Sequence, residues 1–351
     1  MRLGAHRMAP RAMVALLAAV ATPSGAKGGI GPATAEVQLA IGHDSNLLDA
    51  SDAERSAFSA RDPESFFVVS SMRDQFLDGA IRGEWRLPRL SAGHPGLAFE
   101  YQRRQYLNNP IKSTERFTLE SRLRPASHTR VNLATEFVPR FYSRHRLNPD
   151  AQPGEPQFSP EVYRRGDASA VLVQGVTAGA DLELGLEGSV RDYRAPFDAR
   201  DRHLAGATMG LAGSLSPDFR LGARGGYRRT WSRNQPGIAS DLSNREWIVA
   251  PWLAAHPRLV SIRLDVETSW RRYTSSDPKD DGHFGRKDLR SEVRLEIARQ
   301  VAGSLSSVTR LVGRVQRSSL PLRGFDEDAF SDAEVETGLR WHREAPPGSP
   351  W

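Results

Sequence analysis

The chain reads as all-β, a transmembrane up-and-down antiparallel β-barrel of about fourteen strands, because apolar and polar residues alternate with a period of two along nearly all of it. Two further observations support that class. The row opposite each apolar row is charged, so the two faces meet different solvents instead of enclosing one dry core. The connections alternate between short turns and long polar loops, as the hairpins of a membrane barrel do.

Composition removes the competing classes. Of 351 residues, 39% are hydrophobic and 26% charged, and mean hydropathy is −0.50. After the amino terminus no apolar stretch approaches the roughly 20 residues that a spanning helix needs, which excludes a helical membrane protein. The net charge of +6 and pI near 9.9 would suit a nucleic-acid binder. The arginines, however, are spread along the chain and alternate with carboxylates, so no nucleic-acid partner is expected. The absence of cysteine excludes disulfides, thiolate metal sites and cysteine nucleophiles, and it suits export through an oxidising compartment.

Residues 1–26 read as a signal peptide. Arg2, His6, Arg7 and Arg11 form a basic region, Met13 to Ala21 a short apolar run, and Ser24, Gly25 and Ala26 supply small residues for cleavage. Residues 27–34 follow as a short linker, 35–342 as the barrel, and 343–351 as a Pro-rich tail.

Within the barrel, Val37, Leu39 and Ile41 open the series. The clearest strand comes next, with Leu77, Gly79, Ile81, Gly83, Trp85 and Leu87 on one face and Asp78, Ala80, Arg82, Glu84 and Arg86 on the other. Leu97, Phe99 and Tyr101, then Phe117, Leu119 and Leu123, then Val131, Leu133 and Phe137 repeat the pattern. It continues through Leu182 to Val190, Phe219 to Ala223, Val260 to Val266 and Leu289 to Ile297, and closes with Val335, Thr337, Leu339 and Trp341. Weaker segments lie at Tyr163 to Val176, His203 to Leu215, Trp247 to Leu253 and Thr309 to Val315. About ten residues per segment, at roughly 3.3 Å each and a tilt near 45°, span about 25 Å, the height of a membrane apolar band.

Short turns are expected at Pro125 to His128, Val176 to Gly179, Ser216 to Asp218, His256 to Pro257 and Ala302 to Ser304. Long loops are expected at Leu47 to Gln75, Ser143 to Ser159, Ser232 to Asn244, Ser275 to Gly285 and Ser318 to Ser331. Trp85, Trp341, Tyr101, Trp231, Trp270 and Trp247 then fall where aromatic girdles belong. The charged exceptions on the apolar face, Arg103, Asp192 and Arg229, sit toward strand ends.

Glu336, Gly338 and Trp341 stand as polar, x, Gly, x, x, aromatic in the last strand. This resembles the carboxy-terminal signal by which bacterial outer-membrane barrels meet the barrel-assembly machinery. Arg343 occupies the place of the usual second aromatic. Gly42 to Leu47, at the top of the first strand, is similar to the first-strand edge of porin-like and export-type barrels. The resemblance implies residence in the cell outer membrane, with lipid, lipopolysaccharide and the assembly machinery as partners.

For function the leading expectation is a passive pore for ions or small polar solutes, its lumen lined by Arg82, Glu84, Arg104, Glu120, Arg122, Arg220, Arg224, Arg228, Arg263, Glu267 and Arg294. A barrel of about fourteen strands is wider than the eight-stranded kind that side chains fill. Arg220, Arg224 and Arg228 have no carboxylate between them on their own strand and are the row expected to set an anion preference, unless neighbours on strands eight or ten neutralise it. The alternatives are a barrel closed by cross-strand ion pairs and acting through its outer loops, or a lipid-modifying enzyme. There is no Gly-x-Ser-x-Gly elbow and no His-Glu-x-x-His pair, so no enzyme, cofactor or catalytic residue is expected. A Ser and His meeting at the outer rim would change that. The acidic clusters at Asp277, Asp280 and Asp281 and at Asp326, Glu327 and Asp328 could hold calcium or bridge lipopolysaccharide through divalent ions, but such runs are more often solvated loops, the first lacks calcium-loop spacing, and no metal site is expected. In the first long loop Phe66, Phe67, Val68 and Val69 form an apolar patch that could enter the lumen, extend a strand or bind a partner.

Overall fold

The computed structural model describes residues 34–60, 68–86, 95–148, 150–152, 157–233, 241–280, 282–319 and 329–344. The signal peptide, most of the linker, Phe66, Phe67, the acidic run at 326–328 and the tail at 345–351 lie outside them. Fourteen antiparallel strands close into one barrel: β1 (Thr34–Asp44), β2 (Asp74–Arg86), β3 (Gly96–Tyr106), β4 (Thr114–Ala126), β5 (Thr129–Leu147), β6 (Phe158–Thr177), β7 (Ala180–Tyr193), β8 (Arg202–Ser216), β9 (Phe219–Ser232), β10 (Asn244–Ala255), β11 (Val260–Tyr273), β12 (Lys287–Ala302), β13 (Leu305–Ser319) and β14 (Phe330–Glu344). Each strand pairs with its neighbours in sequence, and β14 returns to β1. Closure leaves no strand edge unpaired, which a lipid phase requires because it offers no hydrogen bonds to a bare edge.

The alternation resolves into an inside-out sheet. Leu39, Leu77, Leu186, Met209, Leu211 and Leu339 are exposed on the outer surface, while Asp78 and Glu336 are 2% exposed. Register aligns the outer apolar row across strands: Ile262 faces Ile297, Leu264 faces Leu295 and Val266 faces Val293. An apolar belt running round the whole barrel far exceeds the isolated patches a water-soluble surface carries, and lipid is the phase that matches it. Trp231, Trp247 and Trp270 are exposed near its long-loop rim, with Trp247 paired to Trp270 and the Tyr227 ring 4.8 Å from Trp247. Outward charges are paired on that surface: Arg103 with Glu115 at 3.1 Å, and Arg164 with Asp192.

Strands β5 and β6 run longer than the alternation suggests, to 19 and 20 residues. Register shifts between Val138 and Phe141 and between Tyr142 and His145 break the period there. Such bulges let two segments of different phase belong to one strand. The connection expected at Ser143 to Ser159 therefore shortens to the residues between Leu147 and Phe158.

The first long loop turns inward. Asn46 builds its start: Ala50 N donates to Asn46 Oδ1 (2.9 Å), and Asn46 Nδ2 donates to Ala50 O (2.8 Å) and to Ser331 O (3.1 Å). Asp49 takes the left-handed φ of 50° that this turn needs, a conformation Asp tolerates better than most residues. A capping box then starts helix α1 (Asp52–Ala60): Ser51 N donates to Glu54 Oε2 (2.8 Å) and Glu54 N to Ser51 Oγ (3.2 Å). Leu47, Leu48, Val69 and Met72 pack on Phe76, Tyr106, Tyr142 and Val162, aromatic and apolar residues from the long-loop ends of β2, β3, β5 and β6. Arg144 ties the segment to the wall through Glu54 and donates to Leu48 O at 3.0 Å.

Candidate functional site

Two halves of the interior differ. Around β12–β14 and β1–β4 the inward charges pair densely across strands. Arg104 on β3 reaches Asp78 on β2 (3.1 Å) and also Glu334 (2.8 Å) and Glu336 (3.3 Å) on β14, with its guanidinium 3.9 Å from the Phe76 ring centre. Arg310 joins Glu296 (3.1 Å) to Glu336 (3.5 Å), and Arg314 joins Glu292 (3.2 Å) to Asp332 (2.7 Å). Arg340 holds Glu36 (3.3 Å) and Glu296 (3.1 Å). On the next strands Arg82 pairs with Glu100 (3.1 Å) and Glu120 (2.6 Å), and Arg122 with Glu120 (3.3 Å) and Glu84 (3.8 Å). Because strands lie about 4.8 Å apart, a bond from β3 to β14 is a chord inside the barrel and not a ladder contact.

The opposite wall is thin. The inward rows of β8 and β9 carry Gly206, Gly210, Gly222 and Gly226 beside the arginines. Gly222 is required: a Cβ there would stand 2.7 Å from the Trp252 indole, which projects inward from β10. A chamber of about 520 Å³ lies nearer the short-turn end. Seven arginines line it (Arg122, Arg124, Arg130, Arg220, Arg224, Arg263 and Arg294) against four carboxylates (Glu183, Asp265, Glu267 and Glu292). Trp252 forms part of the floor, its ring centre 6.0 Å from the Arg220 guanidinium and 5.7 Å from that of Arg263.

Toward the long-loop end a second cavity of about 250 Å³ is bounded by Arg191, Arg202, Thr230, Asn244, Glu246, Arg271 and Arg290, by Phe330, and by Asp49 from the inturned loop. Asp49 thus shares one cavity with β7, β8, β9, β10, β11 and β12, which places the start of the first loop within the lumen. Of its apolar patch, Val69 is buried in the loop's cluster and Val68 is exposed.

The sequence-predicted residues divide accordingly. Arg122, Arg220, Arg224, Arg263, Glu267 and Arg294 border the larger chamber; Arg82, Glu84, Arg104, Glu120 and Arg228 belong to ion-pair networks outside its lining. The row Arg220, Arg224 and Arg228 is neutralised in part, and from strands other than the adjacent ones. Arg220 pairs with Asp181 and Arg228 with Glu187 (2.5 Å), both on β7, while Glu267 on β11 takes Arg228 (3.4 Å) and, at 4.0 Å, Arg224. Side chains as long as Arg span two strands, so a carboxylate absent from the strand and its neighbours can still be in reach. Trp252, Phe76 and the pair Arg191 and Arg202 are the inward features that sequence reasoning passed over. An Arg before Asp-Tyr and another after Asp at the two ends of the Arg194 to Asp201 loop were the signal available.

Gly338 sits opposite Ala40 of β1, where a Cβ would lie 2.2 Å from Leu39 O and 2.5 Å from Ala40 Cβ; Trp341 pairs with Val37. A Ser and His do meet, Ser261 Oγ and His256 Nδ1 at 3.1 Å, but beside the short β10–β11 turn and so at the rim away from the long loops. Asp280 is committed to His283 Nδ1 in its own loop (2.8 Å) and accepts from the Asp241 amide of the neighbouring β9–β10 loop (3.1 Å).

No protein-family model matches the chain, and no curated protein does. Solved structures do. The outer membrane channel DcaP of Acinetobacter baumannii aligns with a TM-score of 0.50 at 8% identity, over 91% of this chain and 99% of that one. The architecture is that of a bacterial outer-membrane β-barrel. A Pseudomonas aeruginosa FadL homologue aligns with a TM-score of 0.40 at 10% identity, over 89% of this chain and 90% of its own. CdiB from Acinetobacter baumannii gives 0.47 at 10% identity; the match covers 88% of this chain but only 60% of CdiB.

Proposed function

We propose that this barrel is a passive outer-membrane channel for ions and small polar solutes, with a lumen that favours anions. The observation that carries the reading is the larger chamber, where arginines outnumber carboxylates seven to four and the Gly-lined wall of β8 and β9 leaves room for a solute. A concave, low-dielectric site lined by an excess of one sign concentrates counter-ions and speeds their entry. By the usual arrangement of such barrels the short turns face the periplasm and the long loops the exterior. A solute entering from outside would then pass the inturned loop before reaching the chamber.

Single-channel conductance of the refolded mature chain in a planar bilayer tests this, with Arg224→Glu as the comparison. Arg224 is the right position because its nearest carboxylate among the described residues is 4.0 Å away, so its charge is held less tightly than that of Arg220 or Arg228. Stable open steps whose ion preference shifts toward cations in the variant are expected. Silence from a barrel whose heat-modifiable gel mobility shows it folded overturns the channel. It would favour the second reading, a closed barrel acting through its long loops, which the paired charges around Arg104 and the inturned loop support.

A further inference from the structure

Most inward arginines have a carboxylate within ion-pair distance; Arg191 and Arg202 do not, among the described residues. They stand directly opposite one another on β7 and β8. In that position their Cβ atoms lie about 5 Å apart, where like charges facing across a ladder are destabilising. The next residue round the wall, Arg165 on β6, faces Arg191 but is already paired with Glu136 and with Asp167 at 2.7 Å. What Arg191 and Arg202 touch instead is aromatic: the Arg191 guanidinium is 5.4 Å from the Tyr163 ring centre and that of Arg202 is 6.0 Å from Tyr193. Those two rings pack together at 4.8 Å and hold the arginines from behind.

We infer that Arg191 and Arg202 form a binding site for the carboxylate of a small organic acid, in the 250 Å³ cavity beneath the inturned loop. Two guanidinium forks match a carboxylate's planar oxygens, and an anion between them removes the repulsion they otherwise bear. The other cavity charges are largely spoken for. Arg271 is held by Glu246 at 3.1 Å and Arg290 by Glu292 at 3.3 Å, while Asp49 faces the cavity without an ion pair to either free arginine. Two polar atoms of the lining residues, Arg271 Nε and Asn244 Oδ1, are buried without a hydrogen-bond partner among the described residues, which adds to the unspent polarity of this end of the lumen. Leu204 and Phe330 supply apolar surface on the same lining, which suits a carbon skeleton and distinguishes an organic acid from an inorganic oxyanion. The site rests on the channel reading for its role, as a selective step ahead of the larger chamber, but not for its existence.

Isothermal titration calorimetry of the refolded mature barrel in detergent, with sodium hexanoate as the probe, tests it. Saturable 1:1 binding of hexanoate and none of hexanamide are expected. Affinity should fall at least about tenfold in Arg191→Gln with Arg202→Gln, the order that loss of a charge-assisted bidentate contact implies. The double Lys variant keeps the charge and loses the forks, so it guards against a folding defect; it should bind more weakly than wild type and more tightly than the Gln pair. No binding by the folded wild type, unchanged binding in the Gln pair, or tighter binding of inorganic phosphate than of hexanoate overturns the assignment. Conductance separates the two proposals: a barrel that conducts without binding hexanoate sinks this site alone, and one that binds without conducting sinks the channel alone.

Discussion

Arg104 shows what a single side chain does in this interior. It is the common counter-charge of Asp78, Glu334 and Glu336, all nearly inaccessible to water, and it connects β3 to β14 across the two strands between them. Removing it takes the arginine from Asp78 and leaves Glu336 and Glu334 only their longer contacts with Arg310 (3.5 Å) and Arg314 (3.8 Å), so Arg104→Leu is expected to cost about 3 kcal/mol, measured as a lowered urea midpoint of the lipid-embedded barrel. Adding Asp78→Asn should recover part of that loss, because it deletes one of the uncompensated charges. A second residue gives a pH signature. Lys112, in the turn between β3 and β4, donates to Tyr142 O at 3.1 Å and is covered by the inturned loop, and burial pushes its ammonium down to about 8. Its ordinary value is about 10.4, so below pH 8 the folded and unfolded chains both carry the charge and the full penalty is present. Between about 8 and 10.4 only the unfolded chain holds the proton, and stability therefore rises with pH. The gain should approach roughly 3 kcal/mol by pH 10 relative to Lys112→Met, which lacks the titration. A flat difference between the two chains from pH 7 to 10 would refute this.

At the scale of elements the inturned first loop is the part with most leverage on passage. Its geometry depends on the Asn46 turn and on the reciprocal bonds of Ser51 and Glu54. Ser51→Ala removes one cap and should loosen α1 by about 1 kcal/mol. Asn46→Ala removes three hydrogen bonds and should displace the loop further, seen as larger and noisier single-channel steps; steps unchanged in size would show that the loop does not constrict the path. The strands themselves were legible in the sequence because a period of two with charges opposite apolar rows fits little besides a wall between water and lipid. Leu77 out and Asp78 in could be assigned residue by residue. The long strands β5 and β6 were not, since bulges beside Pro139 and Pro160 shift the phase and make one strand read as strand plus loop. The fate of the first loop was not legible either. Leu47, Leu48 and Met72 look like any apolar residues in a loop until Phe76, Tyr106 and Tyr142 are brought beside them by strand pairing. Of the lumen, the identity of the inward residues could be read from parity, but their partners could not: Arg220 and Arg228 are matched from β7, and which side chains meet across a closed wall depends on curvature and register.

For the molecule as a whole, the ring is completed at one seam. Eleven residue pairs join β1 to β14, from Thr34 opposite Glu344 to Asp44 opposite Glu334, and Gly338 is where that seam is tightest. Gly338→Val should therefore prevent closure, read as loss of the heat-modifiable folded band, whereas Gly313→Ala, where an added Cβ meets nothing within 4 Å, should leave the band unchanged. The seam also has a temporal meaning. β1 and β14 stand farthest apart in sequence, so any partly formed sheet that lacks β14 leaves β1 with β2 on one side and nothing on the other. Thirteen strands can gather as a curling ribbon, but a lumen, with its two chambers and its inturned loop, comes into being only when β14 meets β1.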